Sequence, residues 1–279
     1  MGKLISVIIP AFNEEKTIGE CLKSLKNQSY KQIEIIVVDD GSSDSTRNLV
    51  KDFPNITLLA QSHKGPGQAR NLGVVKSKGD ILTFVDADMT FDKNFIRDLV
   101  KPIVEGKTIG TFSKNEMVKN NENIWSNCWN INKNLPRDRM IAKNFPDEAP
   151  VFRAIIKKEF ERVGGFETNG QYTDDWSLSR KLGKKSTVVS GAMYYHFNPD
   201  NLLEIWKQAR WIGKNEFISG NLLRKARSLF LYNLPMSFVV GFFKSIANVN
   251  FYFLFFKIFY DLAVFTSVVR SFFGETKAK

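Results

Sequence analysis

The chain has 279 residues, 43% of them hydrophobic and 25% charged, proportions that exclude a disordered chain and suffice for one sizeable core with a small appendage. A net charge of +11 favours anionic partners such as acidic lipid headgroups or phosphorylated substrates. Nucleic acid is excluded from the expected partners because no basic-aromatic RNA motif or zinc-finger spacing accompanies that charge, and two distant cysteines, Cys21 and Cys128, exclude a disulfide framework and suit a reducing compartment.

Positions 5–10 form an apolar run without polar alternation, which reads as a strand that starts at once, with no signal-peptide pattern. Met1-Gly2 with Ser6 matches a myristoylation pattern, although Ser6 falls inside that strand. A helix follows with Ile18, Cys21, Leu22 and Leu25 on one face, so Cys21 reads as a small core residue. Positions 33–38 are again apolar and β-branched, and Ser42 or Ser43 is placed to cap a helix bearing Thr46, Leu49, Val50 and Phe53. Positions 56–59 give a third strand, 68–76 a helix after the loop Lys64-Gly65-Pro66-Gly67, and 81–85 a fourth strand. Continuous apolar strands separated by helices indicate a doubly wound α/β fold, Rossmann-like, with a mainly parallel sheet covered on both faces and ligands beyond the carboxyl ends of its strands.

The second half is less regular. Positions 114–150 are polar and read as a loop with short helices, 151–156 and 186–189 as strands, Gly164-Gly165-Phe166 as a turn and 202–217 as a helix. From about position 229 the composition shifts to Phe, Leu, Val and Ile.

Acidic residues stand at the end of nearly every strand of the first half: Asn13-Glu14, Asp39-Asp40, and Asp86-Ala87-Asp88. In a doubly wound fold these ends converge, and clustered carboxylates repel unless a cation or hydrogen-bond donors compensate, so the cluster predicts a bound divalent cation. Asp86 and Asp88, two apart after a strand, can point to one side and suit Mg²⁺ or Mn²⁺; by itself Asp-x-Asp is also ordinary turn chemistry. Asn13 is placed to cap the first helix. The glycine-rich segment from Lys64 opens a helix whose amino end suits a phosphate, and Arg70 either adds charge there or pairs with a clustered aspartate.

Four segments in order carry a resemblance. They are Val7-Ile8-Ile9-Pro10-Ala11-Phe12-Asn13-Glu14-Glu15, then Glu34-Ile35-Ile36-Val37-Val38-Asp39-Asp40-Gly41-Ser42-Ser43-Asp44, then Gly65-Pro66-Gly67-Gln68-Ala69-Arg70-Asn71-Leu72-Gly73, and Phe84-Val85-Asp86-Ala87-Asp88. Together they resemble family 2 glycosyltransferases of the GT-A fold, closely over the first 110 residues or so and more loosely to about 220. The resemblance implies an inverting transfer of a sugar from a nucleotide-diphosphate sugar, UDP- or GDP-linked, to a hydroxyl of a glycan or lipid-linked acceptor. It assigns Pro10, Ala11, Asn13, Glu14 and Asp40 to the nucleotide. Lys64, Gly67, Arg70, Asp86, Ala87, Gly165, Asp174 and Trp176 join the donor-facing set. Asp88 would be the chief metal ligand, with Asp86 and His196 beside it. Asp174-Asp175-Trp176-Ser177-Leu178 resembles the family's Glu-Asp-x-x-Leu segment, which implies Asp175 as the general base; the same residues also suit a helix start. Gln208-Ala209-Arg210-Trp211 misses the Gln-x-x-Arg-Trp spacing of processive synthases, since Lys207 stands where Gln is needed. A nucleotidyltransferase, which would release pyrophosphate, and an inactive sugar-nucleotide-binding module at a membrane remain open as alternatives.

The apolar stretches 229–243 and 251–269 complete the expected organisation: a catalytic domain over 1–224 and a membrane-associating helical tail over 225–279. The second stretch is long enough to span a bilayer, but Lys257 and Asp261 lie within it, and Pro235 and Gly241 interrupt the first. A transmembrane hairpin and an ordinary core subdomain remain open, but with Arg224, Lys225 and Arg227 just before, the favoured arrangement is interfacial or shallowly inserted helices on an anionic membrane surface, at the cytoplasmic face of the cell membrane.

Overall fold

The first apolar runs lack a polar face because both faces of their strands are covered. In the computed structural model, which describes residues 2–168, 174–217 and 222–272, β1 (Ile5–Ala11) sends Ile5, Val7, Ile9 and Ala11 into one core and Ile8 into another. β2 (Ile33–Asp39) divides the same way, Ile35 and Val37 against Ile36 and Val38. Helix α1 (Ile18–Lys26) covers the first face with Ile18, Cys21, Leu22 and Leu25, as the periodicity predicts. Helix α2 (Thr46–Lys51) is capped by neither Ser42 nor Ser43; the Asp44 carboxylate accepts the Thr46 N–H instead.

The chain forms two compact units. The first comprises Met1–Met117 and Ile141–His196. Its main sheet adds β3 (Ile56–Ala60), β4 (Ile81–Phe84), β6 (Gly110–Ser113), β8 (Glu148–Ala149), β9 (Ala154–Ile156) and β10 (Ser186–Val189), in the order β3-β2-β1-β4-β9-β6-β10-β8. Strands β3, β2, β1 and β4 run parallel, while β9 is antiparallel to both β4 and β6. Helices α4 (Phe95–Val104), α6 (Lys157–Arg162) and α7 (Asp174–Leu182) pack in the same unit. A small sheet of β5 (Met89–Phe91), β11 (Tyr194–His196) and β7 (Glu116–Val118), in the order β5-β11-β7, follows β4 directly. The stretch read as a polar loop over 114–150 therefore contains β7, β8 and α5 (Ile124–Asn132).

The second unit comprises Val118–Met140 and Phe197–Lys279, so the composition shift near 229 falls inside it rather than at its edge. It is helical: α5, α8 (Leu202–Phe217), α9 (Leu222–Leu231), α10 (Leu234–Ala247) and α11 (Tyr252–Phe272). Neither Pro235 nor Gly241 breaks α10. Pro235 occupies its first turn, where no N–H is needed, and Gly241 lies mid-helix against Leu254 of α11.

Helix α3 (Pro66–Lys76) lies on β1 and β2 through Gly73. A Cβ there would stand 2.5 Å from Ile8 Cγ2 and 3.3 Å from Val38 Cγ2, both in fully buried side chains. This fixes the glycine that ends the third motif. Alanine at position 73 would gain about 1 kcal/mol of helix propensity, yet overpacking a closed core costs about 1–3 kcal/mol. Gly73→Ala should thus lower the urea midpoint of unfolding; an unchanged or higher midpoint would mean that Ile8 yields freely.

Candidate active site

Beyond β4 the chain turns at Asp86-Ala87-Asp88, where Met89 N donates to Asp86 O at 3.2 Å, and exposure alternates along the three residues. Asp86 and Asp88 reach partial exposure while Ala87 is buried in the core, so a donor can meet only the backbone of Ala87. Strand β5 begins at once, and β11 pairs with it antiparallel, His196 opposite Met89. That register brings His196 Nε2 to 2.8 Å from Asp88 Oδ2. On the other side of β11, Glu116 of β7 places Oε1 3.0 Å from His196 Nδ1. The second oxygen of Asp88, Oδ1, is buried and has no hydrogen-bond partner among the described residues.

Asp86, expected as a metal ligand or ribose contact, is engaged by two guanidiniums. Arg70 Nη2 donates to Oδ1 at 2.8 Å and Arg153 Nη1 to Oδ2 at 3.3 Å. Of the two roles open to Arg70, the ion pair is the one observed, with the guanidinium also 5.6 Å from the Phe166 ring centroid. The next residue, Asn71, clamps the loop that carries Phe166: its Nδ2 donates to Phe166 O and its Oδ1 accepts from Phe166 N, both at 3.0 Å. Gly165 is required by that clamp, since at its φ of 72° a Cβ would sit 2.6 Å from Asn71 Oδ1.

The ends of β1 and β2 are tied to each other. Asn13, at φ 57°, does not cap α1, whose N-cap is Thr17. Its Oδ1 instead accepts from Ser43 N at 2.8 Å, and its own N–H donates to Ser42 Oγ at 2.9 Å. Glu14 N donates to Thr46 Oγ1 at 2.7 Å, and Glu15 Oε2 accepts from Ser45 N at 3.0 Å. Asp40 organises the loop after β3, accepting from Gln61 Nε2 at 2.7 Å, Lys64 N at 2.8 Å and Gly65 N at 2.9 Å, with His63 Nδ1 at 3.0 Å. Asp39 receives Ser42 N and pairs with Arg47.

The carboxylate cluster is therefore compensated largely from within the chain, by the hydrogen-bond donors that are the alternative to a cation. What remains is Asp88. One carboxylate with an unpartnered oxygen, beside an imidazole steadied by Glu116, fits a hard divalent cation. Both oxygens of Asp86 accept from guanidiniums and both ring nitrogens of His196 face carboxylates, so either residue would ligate a cation only by sharing or giving up a present contact, whereas Oδ1 of Asp88 is open. Among the described residues no group of three or more His, Cys, Asp or Glu surrounds a common point.

A family model described as "Glycosyl transferase family 2" matches residues 6–164, more than half of the chain. This chain belongs to glycosyl transferase family 2. GlyA, a glycosyltransferase of Streptococcus pneumoniae, is 39% identical over 105 residues, 36% of this chain; the chain spans only 15% of that relative's length. The mannosyltransferase PcManGT of Pyrobaculum calidifontis, solved with GDP-Man and Mn²⁺, superposes with a TM-score of 0.60 at 18% identity, over 99% of this chain and 88% of that one. TarS 1-349 of S. aureus, solved with UDP-GlcNAc, gives a TM-score of 0.56 at 17% identity, over 96% and 92%. The fold is that of the GT-A enzymes.

In this family member the remaining expected donor residues divide. Pro10 and Ala11 end β1, Ala11 buried; Gly67 is buried in the first turn of α3; Lys64 is held through its backbone, and Trp176 is half-exposed on α7. Asp174 and Asp175 open α7, which Leu178 and Leu182 anchor on Phe160, Phe166 and Phe84 at the end of β4. The side chains of Asp174 and Asp175 lie outside the described residues. Arg153 and Glu116 were missed in the sequence: one precedes a short antiparallel strand, the other sits in a three-residue strand too brief for a period-2 pattern.

Electrostatics follow from this geometry. Burial opposes a charged His196, but Asp88 and Glu116 push its pKa up to about 10, so the metal-free imidazolium donates from both nitrogens. Burial would raise the Asp86 carboxyl, yet Arg70 and then Arg153 hold it well below the usual range. Glu14 behaves oppositely. Burial raises it from 4.5 to about 7, opposed by the Thr17 hydroxyl and reinforced by Asp88 and Asp86. Folded Glu14 thus keeps a proton that the unfolded chain has lost between pH 4.5 and about 7, so its contribution to stability declines as pH rises through that window. In metal-free buffer, wild type should lose more unfolding free energy than Glu14→Gln on going from pH about 5 to about 8. Identical losses would remove Glu14 from this account.

Proposed function

We propose that this chain is an inverting glycosyltransferase that moves a sugar from a UDP- or GDP-linked donor to a hydroxyl of a glycan or lipid-linked acceptor, with Mg²⁺ or Mn²⁺. The observation that carries this reading is the buried, unpartnered Asp88 Oδ1 at the carboxyl end of β4, beside the His196–Glu116 pair. Nucleotide sugars bound to PcManGT and TarS, and the Mn²⁺ of the former, support the donor class and the cation. Asp88 and His196 would hold the cation, which when bound offsets negative charge on the diphosphate.

The chain's own residues supply the rest. The stitched loops after β1 and β2, with Asp40 and its neighbours, hold the nucleotide; Arg70 and Arg153 keep Asp86 ionised and in place under the donor. Asp175 takes the proton of the acceptor hydroxyl as that oxygen attacks the anomeric carbon. The bond from that carbon to the diphosphate oxygen breaks as the new bond forms on the opposite face, so configuration inverts and a nucleoside diphosphate leaves.

Asp175→Asn should bind UDP or GDP as wild type does yet lose transfer by about 10²–10⁴-fold, the usual weight of a general base. Asp88→Asn should abolish the stabilisation of the nucleotide complex by Mn²⁺ in a thermal-shift titration. Undiminished turnover in the first variant, or an unaltered Mn²⁺ response in the second, overturns the corresponding role.

A further inference from the structure

We infer that α10, with the outward edges of α9 and α11, is a lipid-embedded face that seats the second unit in one leaflet of an anionic membrane. This inference is independent of sugar transfer.

The polarity of α10 is inverted relative to a helix of a water-soluble protein. Its buried residues are Ser237, Gly241 and Ser245, spaced four apart on one face. At Gly241 a Cβ would lie 2.9 Å from Leu254 Cδ1 of α11, so the two helices touch through the smallest side chains available. The opposite face carries Phe238, Val239, Phe242, Phe243 and Ile246, each between 45% and 66% exposed. The single charge of α10, Lys244, belongs to the inner side and donates to Ile131 O and Asn134 Oδ1. In water such a helix would hide its phenylalanines; small residues at helix contacts and aromatic residues outward are the pattern of helices surrounded by lipid. The α10–α11 turn continues the face, with Val249 83% and Phe251 76% exposed.

Dimensions decide between spanning and shallow insertion. Fourteen residues give α10 a length of about 21 Å, short of a hydrocarbon core of about 30 Å. Together α9 and α10 are long and apolar enough to cross, but they meet at a 55° bend rather than forming one straight span. Within α11, Tyr252–Arg270 is the one unbroken helical stretch among the described residues that is long and apolar enough to cross. It is instead the spine of its unit: Phe253, Phe256, Tyr260 and Val264 pack with Trp129 and Ile205, and fully buried Asp261 pairs with Lys257 at 2.8 Å. An ion pair in the middle of the helix suits a protein interior better than hydrocarbon.

Charge names the lipid. Between residues 222 and 272 stand Arg224, Lys225, Arg227, Lys244, Lys257 and Arg270 against Asp261 alone. Arg224 and Arg227 are exposed on α9 among Leu222, Leu223 and Phe230, as in helices that lie in an anionic interface.

The test is flotation of the full chain with phosphatidylcholine vesicles containing or lacking roughly 30% phosphatidylglycerol. Wild type should float with the anionic vesicles, and Phe238→Ser/Phe242→Ser/Phe243→Ser should reduce the bound fraction at least about tenfold. A spin label at Phe243→Cys, which needs no change in packing, should become accessible to oxygen and shielded from a water-soluble nickel complex on vesicles. Three results overturn the inference: equal flotation of the triple variant, a vesicle-bound label still open to the nickel complex, or a soluble dimer that the triple variant splits while vesicles recruit neither form.

Discussion

Parallel strands that end side by side deliver their acidic termini to one place, and the resulting repulsion shapes the loops of the first unit. Each terminus meets a different answer. Asp86 lies between two guanidiniums, Asp40 is wrapped by backbone N–H groups of the loop after β3, and Glu14 stays close to neutrality by holding its proton. Asp88 pairs with an imidazolium through one oxygen and leaves the other unmatched. The unmatched oxygen has meaning because every neighbouring carboxylate has been provided for.

The same constraint explains why the motifs read as they do. Asn13, Glu14 and Glu15 after the first strand and Ser42 to Thr46 after the second satisfy one another's backbone groups across the gap. In the third motif, Arg70 neutralises Asp86, Asn71 fastens the loop of Phe166, and Gly73 lets the helix approach β1. Three of its positions thus serve three different physical demands, none of which requires contact with a ligand.

The parallel half of the fold was legible because continuous apolar strands and amphipathic helices leave strong local periods, and Ile5, Ile18, Leu22 and Val37 fell where those periods put them. His196 was legible as a candidate through the family resemblance, and Asp88 through that resemblance and the apolar strand before it. Arg153 and Glu116 were not, because their roles come from antiparallel pairings of three-residue strands, β9 beside β4 and β7 beside β11, and register between distant short strands leaves no local trace. Reading Asn13 as a helix cap failed for a related reason: its side chain answers to Ser43, thirty residues away, rather than to the helix that follows.

The two units obey opposite rules of polarity. In the first, Ile, Val and Leu are buried and the charged side chains are either paired at the site or outside, so composition and burial agree. In the second, serines and a glycine lie between α10 and α11 while phenylalanines face out, so composition alone misleads: the most apolar stretch is not the most buried one. The proposed lipid setting suits such an arrangement, because the hydrophobic effect that buries Phe in water has no counterpart between helices in lipid. What holds α10 to α11 is then close backbone approach through Gly241 rather than exclusion of water, so the contact between these helices should tolerate a larger outward side chain far better than a larger one at position 241.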